Sequence, residues 1–435
     1  MGFFDDILWT RTHPLLSYLP TPVSSNAAEQ DVSLDFTTCD PIQKPSSISS
    51  PLLLASVPLP LELVISIVEL ACFDGSTPAE TLLRHCALVC RAWSYPVQKL
   101  LFSRVTLRTR TACDSFCAAV IRSTNRGRML GDAVICLKVV LDHSHPLGLS
   151  QHAFGDAFNL CPNLHELNLA LYGYTASEEG KIGVLDIERM RRHASTFDDH
   201  TLSLLKSGPE ITDLYFSNWS ENQHESFAQL LTVWPTLKSL VISGTAPKPP
   251  SSIAEPLACS LEQLRMNFQT SPSIDFMKWL LHNSSNTLRV LEFDREPSVH
   301  FLDHLVDAHG PGLHSLSLPA CLSQQHALAV QKCSQLRELC IENFSTCIKV
   351  CRKVFGTLEH IALGMDQNTV LQPIIETVRS SDALRVVTVH IWHGGDQHPQ
   401  FSILKVACAY RGVDLRITRD IRVFRLMMVF HFNIL

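Results

Sequence analysis

Histidine and cysteine are the residue types in this 435-residue chain whose spacing comes nearest to a chemical site. His224 and Glu225 open a sequence like the zinc-binding helix of metalloproteases, in which a second histidine follows three positions after the glutamate. Ala228 occupies that position, so one imidazole ligand is missing. The chain also lacks the GxGxxG, GxxxxGK[ST] and GxSxG sequences of nucleotide-binding proteins and serine hydrolases. We therefore expect no catalytic activity of its own.

The densest histidine group consists of His390, His393 and His398, beside Gly394 and Gly395. Glycines indicate a loop at a strand exit, which is a simpler interpretation than a metal site. Pairs of cysteines four residues apart also occur, but they lack the short CxxC spacing of zinc sites, and apolar neighbours around most of the 15 cysteines favour buried free thiols. We expect no bound metal and no cofactor. The cysteine pairs are Cys86/Cys90, Cys113/Cys117 and Cys347/Cys351.

Composition and charge narrow the class of protein further. The net charge is −6 and no basic cluster offsets it, which argues against a protein that binds nucleic acid by neutralising phosphates. Asp5 and Asp6 stand where a signal peptide needs basic residues, and no apolar stretch approaches the roughly 20 residues of a membrane span. We expect an intracellular protein without membrane association, in the cytoplasm or the nucleus.

One apolar pattern recurs from residue 137 to residue 389. Its template is apolar-x-x-apolar-x-apolar, and seven consecutive steps from one repeat to the next fall within 22–27 residues. Each template alternates like a half-buried strand, whereas the segments between templates have helical spacing. The middle apolar residues lie at positions 137, 167, 214, 240, 264, 291, 316, 339, 361 and 387.

This period resembles a leucine-rich repeat of the helix-containing kind. One strand and one helix cannot bury their own apolar faces, so consecutive units must stack into a solenoid. We predict an α/β fold in which an irregular leucine-rich-repeat solenoid spans residues 108–420, with strands on the concave side and helices on the convex side. Helical spacing is clear at Ile374, Ile375 and Val378.

A different pattern precedes the repeats, at residues 57–107. Leu59-Pro60 with Leu63 begins one helix, and Leu88 to Trp93 ends a second helix before Pro96. These residues closely resemble an F-box, a small helical domain that packs on the Skp adaptor subunit of cullin-based ubiquitin ligases. The resemblance implies that the adaptor-facing or helix-positioning residues are Leu59, Pro60, Leu63, Ile67, Leu88, Val89, Arg91 and Trp93.

The remaining segments have no repeat pattern. Residues 1–56 are rich in proline and serine and are predicted to be disordered, and residues 172–199 form a charged insertion between two repeats. Residues 421–435 fit no repeat register. They are either a strand that caps the end of the solenoid or the product of a doubtful reading frame.

The strand positions between the apolar residues point outward and carry an excess of acidic side chains. Arg265 is the one basic residue among them. Such a surface would attract a basic protein target, with aromatic or histidine side chains as anchors. The predicted target-binding residues are Tyr215, Trp219, Glu292, Asp294, Glu338, Glu342, His360, His390 and Trp392.

Two functions are compatible with this organisation. The first is a substrate-recognition subunit that holds the Skp adaptor, and through it a cullin, with the F-box-like domain and holds a protein target with the repeats. The second is a leucine-rich-repeat scaffold or regulator, without a ligase role, in which the F-box-like region is a helical cap on the repeats.

Overall fold

A computed structural model of the chain describes residues 60–74, 77–78, 80–142, 145, 147–172, 196–218, 225–247, 257–321, 323–343 and 356–429. These residues fall into two compact units, and the boundary between the units lies between Val97 and Gln98. The predicted disordered region 1–56 and positions 173–195 of the predicted insertion lie outside the described residues.

The first unit contains helices and one short pair of antiparallel strands. Pro60 precedes the first helix, and its carbonyl accepts hydrogen bonds from the N–H groups of Leu63 and Val64. A proline is tolerated there because the first amides of a helix have no partner within it. The elements in chain order are α1 (Leu61–Cys72), β1 (Phe73–Asp74), β2 (Thr77–Pro78) and α2 (Glu80–Val89).

Helix α3 (Arg91–Ser103) corrects the predicted end of the second helix. The sequence predicts that this helix stops before Pro96, whereas α2 ends at Val89 and α3 continues through the proline. The proline ring costs one backbone hydrogen bond of the helix. Pro96 and Val97 are both buried, so their packing offsets that loss.

Within the described residues of the second unit, twelve parallel strands form one sheet in the same order as in the sequence. The middle apolar residues of the predicted template are register partners along it, from Leu137 to Val387. The predicted repeat is therefore confirmed. The strands are β3 (Arg104–Leu107), β4 (Cys136–Asp142), β5 (Glu166–Tyr172), β6 (Asp213–Asn218), β7 (Ser239–Gly244), β8 (Gln263–Phe268), β9 (Val290–Phe293), β10 (Ser315–Ala320), β11 (Glu338–Asn343), β12 (His360–Met365), β13 (Val386–Ile391) and β14 (Asp414–Thr418).

In the described residues, helices lie between most of the consecutive strands and pack on the helices of adjacent repeats. The predicted apolar positions Ile374, Ile375 and Val378 are fully buried. The helices are α4 (Arg110–Ala119), α5 (Asn125–Ala133), α6 (Gln151–Asn159), α7 (Asp199–Ser207), α8 (Glu225–Val233), α9 (Ile274–Leu280), α10 (Val299–His309), α11 (Gln324–Gln331), α12 (Gln372–Ser380) and α13 (Phe401–Arg411).

Side-chain caps start many of these helices. In each case the side chain of the residue before the helix accepts a hydrogen bond from the backbone N–H three positions later, which satisfies one of the amides that the helix leaves unpaired. The sequence therefore specifies where the loops before these helices end. The capping residues are Thr109, Thr124, Ser150, Asp198, Ser273, Ser298 and Ser323.

The sheet extends by one strand beyond the first predicted template. Val105 of β3 pairs in register with Leu137, and Val105 and Leu107 are buried. Residues 98–107, which the sequence assigns to the F-box-like domain, thus lie in the compact unit that contains the sheet. At the other end, β14 pairs with β13 and extends the sheet by one strand beyond the last predicted template.

Residues Ile421–Val429 form a helix, α14, and not the capping strand that the sequence allowed. This helix contacts β13 and β14, and Phe424 is fully buried. A helix forms because apolar Ile421 and Phe424 are three residues apart and so share one helical face. The last six positions, 430–435, lie outside the described residues.

Candidate partner-binding surfaces

Helix α1 divides its apolar residues between two faces. Val64 and Val68 are 2% and 1% exposed, so they form the buried face. Leu63, Ile67 and Leu70 are 53%, 47% and 84% exposed. Three exposed apolar side chains at helical spacing form a surface that water solvates poorly.

Helix α2 adds to the exposed apolar surface of the first unit. Leu83 is fully buried, whereas Leu88 and Val89, at the end of the helix, are 80% and 64% exposed. Of the other predicted adaptor-facing residues, Pro60 and Arg91 are exposed and Trp93 is half-buried. Leu59 lies outside the described residues. The predicted set is thus largely at the surface of this unit.

The second surface is the side of the large sheet whose strand positions alternate with the buried template residues; we call it the open face. Several charged residues on it are paired. Arg265 lies 2.9 Å from Asp294 and 3.7 Å from Glu292, measured between guanidinium nitrogen and carboxylate oxygen. Glu166 similarly lies 3.1 Å from Arg104. These pairs neutralise part of the predicted acidic excess.

The sequence predicts that the acidic residues of the open face point outward into solvent. The burial of its central residues corrects that expectation. Glu292 is 8%, Glu338 4% and His360 1% exposed. An imidazole nitrogen of His360 lies 2.9 Å from the Thr388 hydroxyl, and its other ring nitrogen lies 3.6 Å from the Glu338 carboxylate. Burial raises the pKa of Glu292, and nearby Arg265 opposes that shift. These three side chains are therefore buried within the sheet-containing unit and do not present charge to solvent.

Helix α14 lies on the open face at strands β11–β13. The ring of Phe424 packs in one apolar cluster with Cys340 and Ala362, and Ile421 packs against that cluster. The ring centroids of Phe424 and His390 are 5.4 Å apart. The tail helix thus covers residues that the sequence had placed in a target-binding surface.

The next residue of α14 makes the main charged contact with the sheet. Arg425 donates through Nε to one carboxylate oxygen of Glu342 and through Nη2 to the other, the second at 2.8 Å. The hydrogen bond to Glu342 is the largest influence raising the pKa of Arg425, and Asp294 contributes in the same direction. Sequence reasoning missed both Phe424 and Arg425, although the apolar spacing of residues 421 and 424 was a helical signal.

The other predicted target-binding residues do not join this group. Tyr215 lies on β6, seven strands from His390 on β13, which is roughly 34 Å at the usual strand spacing. Burial is the largest influence raising the pKa of Tyr215 to about 12. Trp392 is half-buried just beyond β13, and Trp219 lies outside the described residues. The structure therefore separates the predicted residues into at least two places.

Metal-ligating side chains do not converge within the described ranges, where no group of three or more histidine, cysteine or acidic residues could hold an ion. His398 is buried, and its Nε2 lies 2.8 Å from the carbonyl oxygen of Thr369. The Sγ atoms of Cys113 and Cys117 are 4.0 Å apart on α4, and their hydrogen bond raises the pKa of Cys113. His224 and the pair Cys347/Cys351 lie outside the described residues. In the part of the chain that the structure covers, no helix has the length and apolar character to cross a bilayer.

Comparisons with known proteins find likeness to solved structures. No family model matches the chain, and no curated protein matches it. Among 28 matching chains of solved structures is the leucine-rich repeat domain of APL1B. The two chains share 12% sequence identity, and the match covers 66% of this chain and 88% of the other with a TM-score of 0.25. The assignment of a leucine-rich-repeat architecture rests on the repeated template and the in-order parallel sheet of this chain itself.

Proposed function

We propose that the chain is the substrate-recognition subunit of a cullin-based ubiquitin ligase. The first unit binds the Skp adaptor subunit, which links the chain to a cullin, and the sheet-containing unit binds a protein target. The other subunits carry out the chemistry. The contribution of this chain is to hold the target near the reacting groups, which raises their effective concentration.

The observation that carries the proposal is the exposed apolar surface of helices α1 and α2. Leu63, Ile67, Leu88 and Val89 are each about half exposed or more, and they are also the residues that resemble the adaptor-facing positions of an F-box. A partner that covers such side chains stabilises the complex by roughly 25 cal/mol for each Å² of apolar surface removed from water. Their exposure therefore supports a partner at this surface.

A pull-down with a purified Skp adaptor tests the proposal. The triple variant Leu59→Ala, Pro60→Ala, Leu63→Ala and the double variant Leu88→Ala, Val89→Ala should each retain less than roughly one tenth of the wild-type binding, because they remove the centre of a small apolar interface. Circular dichroism of each variant shows that the loss is not a folding defect.

A matched control uses exposed apolar residues of the second unit. Val406 and Tyr410 on α13 are 68% and 87% exposed, which is comparable to Leu88. The double variant Val406→Ala, Tyr410→Ala should bind the adaptor like the wild-type chain. Wild-type binding by both first-unit variants would contradict the proposal, as would failure of the wild-type chain to bind.

The alternative is a repeat scaffold without a ligase role. It is favoured by the burial of Leu101, Phe102 and Val105, because these residues of the F-box-like stretch lie in the sheet-containing unit. In this alternative, the F-box-like stretch is a helical cap on the repeats. The first-unit variants then change the thermal stability of the chain, and the chain binds no adaptor. The same pull-down and melting curves distinguish the two functions.

A further inference from the structure

Small side chains interrupt the polar open face beneath helix α14. Cys340 and Ala362 are register partners on β11 and β12. In the next row, Gly364 is the register partner of His390 and contributes no side chain. In the first of these rows the adjacent strands carry polar residues, Ser317 on β10 and Thr388 on β13, and Glu292 on β9 follows Ser317. The small residues leave a recess in the face, and the fully buried ring of Phe424 fills it.

Charge at the rim of the recess matches the residue that follows the ring. Both carboxylate oxygens of Glu342 accept hydrogen bonds from Arg425, and a fork of two parallel hydrogen bonds fixes orientation as well as adding energy. We call Cys340, Glu342, Ala362 and His390 the tail-binding site. It holds two adjacent side chains, an aromatic ring and a guanidinium group.

Helix α14 is a weak structural element apart from these two anchors. It has nine residues, and isolated helices shorter than roughly 12 residues are marginal in water. Arg422 and Val423 are exposed, the latter 40%. Among the side chains of α14 that the structure describes, Ile421, Phe424 and Arg425 are the ones packed against or paired with the sheet, and another segment with the same two anchors could replace the helix.

We propose that the tail-binding site is where a protein target binds, and that the target presents a helix with an aromatic residue followed directly by arginine. Helix α14 occupies the site in the same chain and competes with the target. This inference names the target chemistry for the repeat unit and so rests on the proposed function above. It does not depend on the adaptor surface of the first unit, which is tested separately.

A helix tethered to its own site acts as a competitor at high effective concentration. The apparent affinity for a target then falls in proportion to the fraction of molecules whose site is empty. Removing the two anchors should consequently increase target affinity without changing the site itself. This increase is the measurable consequence of the proposal.

Binding of a labelled peptide to the full chain tests it. The probe is a fluorescent peptide with the sequence of residues 420–429, measured by anisotropy. The released variant Phe424→Ala, Arg425→Ala should bind the peptide at least about 10-fold more tightly than the wild-type chain. The matched variant Arg422→Ala, Val423→Ala, which alters exposed residues of the same helix, should behave like the wild-type chain.

Charge reversal identifies the contact. In the released variant, Glu342→Lys should abolish binding of the peptide. A peptide with glutamate at the position of Arg425 should restore binding to that protein. The adaptor pull-down should be unchanged for all these variants, so a failure here is distinguishable from a failure of the ligase proposal. Should the released double variant not fold, Arg425→Glu alone provides the open site, since this half-exposed residue then repels Glu342.

Three results would overturn the proposal. The released chain could fail to bind the peptide, or it could bind equally well a peptide with alanine at both anchor positions. The wild-type chain could also form a dimer that exchanges α14 between copies, in which case the site serves self-association and not a target; light scattering detects this dimer.

Discussion

Arg425 and Glu342 are 83 residues apart in the sequence, yet their side chains form a two-pronged ion pair on the open face of the sheet. The pair fixes a helix that follows the last strand to the surface of a strand three positions earlier in the sheet order. It therefore connects parts of the repeat unit that the strand pairing itself does not bring together.

The coupling between these two residues is measurable. Glu342→Gln, Arg425→Ala and the double variant form a thermodynamic cycle, from which we expect a coupling of about 1 kcal/mol, because the pair is bidentate and partly shielded from water. Urea unfolding of the wild-type chain and of these three variants gives the four free energies that the cycle needs. Lys238 and Glu262 form a control pair whose side chains are 60% and 47% exposed, and their coupling should be smaller. Equal coupling in both cycles would contradict a special role for Arg425.

The central leucine row should dominate stability. Leu316 on β10 is fully buried and pairs in register with Leu291 and Leu339. Leu316→Ala should lower the free energy of unfolding by about 2–5 kcal/mol, through lost burial and the cavity that remains. Leu328 on α11 is 46% exposed, and Leu328→Ala should cost less than about 0.5 kcal/mol. A similar cost at both positions would show that the predicted row is not the core.

Protonation of His309 should destabilise the folded chain at low pH. Its Nδ1 is buried without a hydrogen-bond partner within the described residues, and burial, with a smaller effect of His304, lowers its pKa below the usual 6.5. The unfolded chain therefore takes up this proton at higher pH than the folded chain does, so stability is lost as the pH falls below about 6.5.

Replacing that histidine isolates its contribution. Between about pH 7.5 and about pH 5, the free energy of unfolding should fall less for His309→Gln than for the wild-type chain. His300→Gln, at an exposed position on the same helix, is the matched control. Parallel pH profiles for His309→Gln and the wild-type chain would refute the expectation.

Replacing Gly412 with a residue that has a side chain should destabilise the folded chain. This residue ends α13 with a φ of +68°, a conformation that side chains disfavour, and no atom lies within 4 Å of an added Cβ. Gly412→Ala should thus cost about 1 kcal/mol from backbone strain alone. Gly356 also has open space around it but no positive φ, so Gly356→Ala should have little effect. Thermal unfolding of the two variants makes the comparison.

The repeat could be predicted from the sequence because its signal is local. Leu167 and Leu214 lie on opposite sides of the charged insertion, yet each belongs to a short template whose alternation marks a half-buried strand. Stacking of identical units then dictates that these residues become register partners, as they do. The continuation of α3 through Pro96 was harder to predict, because the burial of Pro96 depends on packing that a proline in the sequence does not reveal.

The open face could not be predicted to the same extent. Glu338 and His360 occupy outward strand positions, and from that pattern alone they should be solvated. Their burial depends on tertiary contacts, and helix α14, which covers part of this face, follows from no repeat rule. A charge count along the strands also leaves out Arg425, which comes from a segment beyond the repeats and neutralises Glu342.

The position of α14 affects how the repeat unit unfolds. Each strand of the sheet pairs with the strands before and after it in the sequence, so a stack of this kind can fray one repeat at a time from its end. Phe424 and Arg425 contact β11, β12 and β13 together. The same helix therefore stabilises all three strands, and their amide hydrogens should exchange as a single cooperative block. Once the two anchors are removed, the strands should exchange in successive steps.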